Sequence, residues 1–120
     1  RYADMLRQQA IIRAELSKVA AIRAINLLTG ETTMANIDED AANALTFLSE
    51  ACGAVYGLQF TVQASGKPHF TYNEVKTLID QLTAGSGLWD KQRLLADTST
   101  TGSLRNVAWQ VAQRYGISLQ

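Results

Sequence analysis

Little in this sequence suits covalent or metal chemistry. Its 120 residues include one cysteine, one histidine and one proline. A lone Cys52 cannot close an internal disulfide, and His69, the sole histidine, cannot join it in a zinc site built from repeated His and Cys ligands. No apolar run reaches the roughly 20 residues that a helical membrane span needs. Net charge is missing too, since eleven Lys and Arg match eleven Asp and Glu. No overall field therefore draws in nucleic acid, and no basic stripe or helix-turn-helix spacing is visible. Gly85-Ser86-Gly87 follows a helical pattern rather than a strand, so it is not a phosphate-cradling loop. Scarce proline leaves few helix breakers.

What the chain does hold is apolar residue at helical spacing. A content of 47% apolar and 18% charged side chains is that of a globular domain. The pattern predicts a single all-α domain over residues 1–120, an irregular bundle of about four to five helices. The first should run from Tyr2 to Leu28 with Gly30 just past its end. Its second half, Val19 to Leu28, is apolar around most of the circumference and should be buried on more than one side. A polar loop, Thr29 to Asn36, follows. Helix two should start near Asp38, with Asp38, Glu39 and Asp40 in its first turn, and continue to Leu58. Its apolar face is Ala41, Leu45, Leu48, Cys52 and Val55. Residues 59–70 form a connection with a turn at Gly66 and Pro68. Thr71 and Glu74 make a capping box for a helix to Leu82, with Val75, Leu78, Ile79 and Leu82 inward. A short helix from Asp90 to Ala96 should point Leu94 and Leu95 inward, and a final helix from Thr101–Ser103 should end at Tyr115 under a left-handed Gly116.

Charge is unevenly distributed. Residues 1–30 carry five cations and two anions, whereas residues 31–60 carry five anions and no cation. The simplest account packs the first two helices side by side with complementary faces.

Candidate sites are few. On the far face of helix two, Ser49, Gly53 and Gly57 recur at about one-turn spacing, beside Glu50 and Tyr56. Small residues let a second backbone approach, so a partner element is expected there. Glu50, in a crowded position, could pair with Arg23 or Arg13. Cys52 reads as a core thiol, and His69, next to Pro68, as a solvated or capping side chain. Tyr56, Phe60, Phe70, Tyr72, Trp89 and Trp109 read as core and junction residues more readily than as a ligand groove. No catalytic residue, metal ligand or cofactor can be assigned.

Several segments together resemble a known family. They are Ala20-Ala21-x-x-Ala24-Ile25-Asn26-Leu27-Leu28, then Leu48-Ser49-Glu50-Ala51-Cys52-Gly53-Ala54-Val55-Tyr56-Gly57-Leu58, Thr71-Tyr72-Asn73-Glu74-Val75 and Gly87-Leu88-Trp89. In this order they resemble the C-terminal half of the bacterial DUF4856 family. That resemblance implies a mostly helical envelope lipoprotein, located in the periplasm or at the outer membrane. A more distant similarity links it to imelysin-like proteins, which are associated with iron uptake and were once described as peptidases. The His-x-x-Glu pair of imelysins is absent, because Tyr72 stands three residues after His69. The chain opens at Arg1, already in a helical pattern, so a longer parent is expected whose N-terminal half would be one partner. The expected function is a non-catalytic module that binds a ligand or partner through Ser49, Glu50, Gly53, Tyr56 and Gly57. The alternatives are a piece of an imelysin-like metal-dependent peptidase or iron-uptake protein, or a cytosolic interaction domain.

Overall fold

With no proline before Pro68, the first segment winds into one long helix, α1 (Tyr2–Thr29), in a computed structural model that describes residues 1–119 apart from the side chains of Asp38 and Ala41. Four further helices of nine residues or more follow among the described residues: α2 (Glu31–Glu39), α3 (Ala41–Gly57), α4 (Tyr72–Leu82) and α6 (Leu104–Tyr115). Between the last two lies the single-turn α5 (Lys91–Leu94), and 3-10 turns occupy Leu58–Phe60 and Gly87–Trp89. The only strand-like pairing among the described residues is one antiparallel bridge between Val62 and Pro68. The all-α bundle is as the apolar spacing implies.

Alpha1 packs against α3 and α6, and α4 closes the bundle against both. Ala21, Ala24 and Leu28 of α1 meet Leu48 and Val55 of α3 and Leu104, Val107 and Val111 of α6 in one buried cluster. Small α1 residues allow this close approach, and burying each large side chain contributes about 1.5–3 kcal/mol.

Two local expectations need correction. The stretch expected as a polar loop is helical, because Thr33 and Ile37 sit one turn apart and are both buried. Helix two therefore begins at Ala41, where the Asp40 carboxylate accepts from Asn43 N–H at 3.3 Å. The expected capping role of Asp38 and the inward placement of Ala41 concern side chains outside those described. The buried face of α3 is also rotated, running through Ala44, Leu48, Ala51 and Val55 while Leu45 and Cys52 are only half-buried. Gly30 does end α1, as expected, in extended conformation. Its need is spatial, since a Cβ there would stand 2.5 Å from Asn26 O.

Other signals hold. Thr71 and Glu74 cap α4 reciprocally. Gly116 takes φ +68° after α6, and Ile117 N–H returns to Ala112 O at 2.8 Å.

The link from α4 to α6 is organised by one side chain. Arg93 of α5, 12% exposed, donates from Nη1 to Gln81 O and Gly102 O at 2.9 and 2.6 Å. Its Nη2 donates to Leu82 O and Gly87 O at 2.8 and 2.7 Å. Asp90, which caps α5, lies 3.5 Å from Nε. A planar guanidinium thus ends α4 and fastens two loops at once.

Residues 1–16 stand apart. Only Ala10 and Ala14 among them are even half-buried. This arm gives the molecule a 56 Å long axis against 25 and 23 Å across.

Candidate functional site

The face expected to bind is the outer wall of a groove between α1 and α3. Ala20 and Arg23 of α1 face Glu50, Gly53, Ala54 and Gly57 of α3 across about 420 Å³ of open space. Through Gly57 the groove continues to Arg13, Leu16, Ser17, Phe60, Thr61 and Val62. The arrangement brings three of the five expected residues, Glu50, Gly53 and Gly57, into one depression. Tyr56 projects at its edge, 6.4 Å from Phe60 and edge-on to it at 71°. Ser49 is exposed and lines neither part.

Nothing within the described residues fills the glycine row. A Cβ built on Gly53 or Gly57 meets no atom within 4 Å, so the expected partner element is not another helix of this fold. Glu50 is exposed rather than crowded, and among the described residues no ion pair joins it to Arg23 or Arg13. The first helices do not meet through complementary charges either. They meet through Ala and Leu, which leaves Arg13, Lys18 and Arg23 on one side and Glu31, Glu39 and Asp40 on the other without ion pairs among the described residues.

The aromatic side chains depart from expectation as well. Phe70 alone of the six is buried; Tyr56, Phe60, Tyr72, Trp89 and Trp109 are all exposed. The apolar surface extends onto α1, where Met5 is 58% and Leu16 63% exposed, and Val19 and Ile22 are exposed too. The burial expected on several sides of the Val19–Leu28 segment is therefore one-sided. Sequence reasoning missed this arm, although the row Tyr2, Met5, Leu6, Ile12 and Leu16 is legible as apolar spacing along a helix.

The one histidine sits elsewhere, at a junction of three segments. Its ring stacks on Tyr115 at 4.1 Å and 28°, and its Nδ1 is buried without a hydrogen-bond partner. It is half-buried, not the solvated or capping group expected. Burial lowers its pKa below the ordinary value, and Arg114 and Lys18 push the same way against a bond to the Val62 backbone. Beside it the Tyr115 hydroxyl hydrogen-bonds Thr61, and Arg114 donates to His69 O and to Glu74, both at 2.6 Å. Arg114 also lies over the Phe70 ring, 4.3 Å from its centre. The Arg114 hydrogen bond, with the Thr71 backbone bond, holds the Glu74 pKa down to about 2. A neutral imidazole among cations, with no carboxylate to orient it, lacks the base–orienter pairing of a catalytic relay. The junction is a structural clamp.

Cys52 is half-buried on α3, and burial raises its pKa, which keeps the thiol protonated and unreactive. No group of three or more His, Cys, Asp or Glu side chains is placed to hold a metal among the described residues. No helix there is long and apolar enough to cross a membrane.

The model of the family described as Domain of unknown function (DUF4856) matches residues 1–118. No curated protein and no solved structure matches the chain.

Proposed function

We infer, on the premise that the chain belongs to the DUF4856 family, that it is a non-catalytic helical module that holds a protein partner along the α1–α3 groove. The observation that carries this reading is the combination of an open groove with a large unpartnered apolar surface. Leu16 and Phe60 line the groove and Tyr56 stands at its edge, and each is close to half exposed or more. Scattered exposed apolar residues need no explanation, but a continuous patch beside a groove marks an interaction site. The groove is open along its length, a shape that suits a helix better than an enclosed small ligand.

We further propose that the module belongs to a bacterial cell-envelope lipoprotein, a placement supported by the family resemblance alone. The peptidase and iron-uptake reading would need acids and histidines to converge. Glu50 faces Arg23 across the groove, and His69 is surrounded by Tyr115, Arg114 and Lys18, so no observation favours it.

Photo-crosslinking tests the docking role. A crosslinking amino acid at Leu16 or Tyr56 of the full-length protein should capture a polypeptide in the cell, whereas one at Lys76 on exposed α4 should not. Equal labelling at all three positions, or none at Leu16 and Tyr56, would refute the assignment.

A further inference from the structure

We propose that residues 62–69 form an acid-released latch, which lets go of α1 and α6 when His69 takes a proton. The latch lies at one end of the groove and stands whatever docks there. Gln63 to Pro68 are exposed, whereas Thr61 and Phe70 on either side are buried. The tip therefore projects from two anchored ends. It is closed on itself by the Val62–Pro68 bridge and by Gln63 N–H to Lys67 O at 2.8 Å. Three ties hold it down. Val62 N–H donates to Ser17 Oγ of α1 at 3.0 Å, and His69 N–H donates to Thr61 O at 3.1 Å. The His69 ring stacks on Tyr115 of α6. Little of the tip is buried, so these ties set its opening separately from that of the core.

The site of the ring accepts a neutral imidazole and opposes a charged one. Both nitrogens carry protons in the imidazolium, so Nδ1–H would be a buried, charged donor with no acceptor. The neighbouring charges have the wrong sign, since Lys18 from α1 and Arg114 from α6 both oppose a further cation. Tyr115 is a neutral phenol, and burial raises its pKa. Glu74, at the head of α4, is engaged by Arg114 at 2.6 Å and by Thr71 N–H at 2.9 Å. Among the described residues no carboxylate comes within ion-pair reach of the ring, Glu15 of α1 included. The segment's own charged residue, Lys67, is another cation. Only the bond to the Val62 backbone favours the proton.

Turning the ring out to water removes these penalties, so protonation and opening favour each other. Arg114 over Phe70 and Tyr115 with Thr61 do not involve the ring, and they keep the two ends anchored. Release frees Ser17 and Val62, which line the Phe60 end of the groove, and so widens that end. His69 is held below its ordinary 6.5, so the closed latch is fully favoured above that pH and loses ground as pH falls. A ring that stays neutral while closed makes opening about tenfold more frequent at pH 5.5 than at pH 7.5.

Nuclear magnetic resonance on the purified chain tests this, because the sole histidine gives a single ring titration. Its midpoint should lie below 6.5. Amide exchange, corrected for its intrinsic pH dependence, should show protection of Val62 and His69 falling about threefold to tenfold from pH 7.5 to 5.5. Val107 and Val111 of α6 should be unchanged. His69→Gln should abolish the fall. Lys18→Glu, which sets a carboxylate near the ring, should raise the midpoint and shrink the fall, and it serves if His69→Gln does not fold. A midpoint at or above 6.5 overturns the latch, as does unchanged protection at Val62 and His69. Equal loss of protection in α6 also overturns it, since the whole domain would then be yielding. So does a Lys18→Glu variant that titrates and opens like the native chain.

Discussion

Arg93→Met is the sharpest test of how the C-terminal half is held together. The guanidinium serves four backbone carbonyls, those of Gln81, Leu82, Gly87 and Gly102. Hydrogen bonds from a charged donor are each worth about 1.5–3 kcal/mol, but the sum overstates the loss because water reaches some carbonyls once the loops relax. About 4 kcal/mol is a reasonable expectation, a large part of the roughly 5–15 kcal/mol that holds a domain folded. Methionine keeps most of the stem volume, so the change isolates the donors. Arg93→Lys should lose about half as much, since one ammonium cannot span carbonyls that a planar fork reaches from two nitrogens. Urea denaturation followed by far-ultraviolet circular dichroism reads both values, and an unchanged slope would show that the unfolded state is not the cause. A loss below about 1 kcal/mol for Arg93→Met would refute the reasoning, because it would mean that the four carbonyls are equally well served by solvent. Gly102 supplies an internal check. It takes φ +90°, and a Cβ there would stand 2.6 Å from Gln81 O and 3.3 Å from Arg93 Cδ, so Gly102→Ala should destabilise the same link.

Three other outcomes follow from the same geometry. His69 has a folded-state pKa below its ordinary value of 6.5, so its contribution to stability is complete above that value and is lost as pH falls below it. Denaturation midpoints at pH 7.5 and 5.5 should differ by less in His69→Gln than in the native chain. Tyr115→Phe removes the hydroxyl partner of buried Thr61, which keeps its bond to Leu58 O at 2.6 Å, so a loss of about 1 kcal/mol is expected by urea titration. Gly53→Ala should raise stability by about 0.5–1 kcal/mol, visible as a higher melting temperature, because glycine weakens a helix interior and the new methyl meets nothing.

How much of this was legible in the sequence depends on where each signal resides. Alpha4 and α6 could be read directly, since Thr71–Glu74 and Gly116 act through their own neighbouring backbone. Alpha2 could not, because Thr32, Thr33 and Asn36 are poor helix formers and the helix is set by burying Thr33 and Ile37 against the bundle. The face of α3 was ambiguous for a related reason: Leu45 and Cys52 fit an apolar stripe as well as Ala44 and Ala51 do, and the choice depends on what packs opposite. The groove residues Glu50, Gly53 and Gly57 were foreseen as a group from their size and spacing, but the emptiness above them was not. Arg93 gave no sign of its role. Its partners are carbonyls of loops whose conformation exists only once α4 and α6 are in place.

The bonds around Val62 bear on the order in which the chain folds. Ser17 Oγ accepts from Val62 N–H at 3.0 Å, forty-five residues away, and Thr61 meets Tyr115 fifty-four residues further on. Two adjacent residues of one irregular segment therefore join the first helix to the last. Most contacts in a helical bundle are local and form quickly, whereas these ties close large loops and gain nothing until both ends are present. Substitutions at Ser17 or Thr61 should accordingly leave the refolding rate almost unchanged and speed unfolding, the signature of contacts made after the barrier has been crossed.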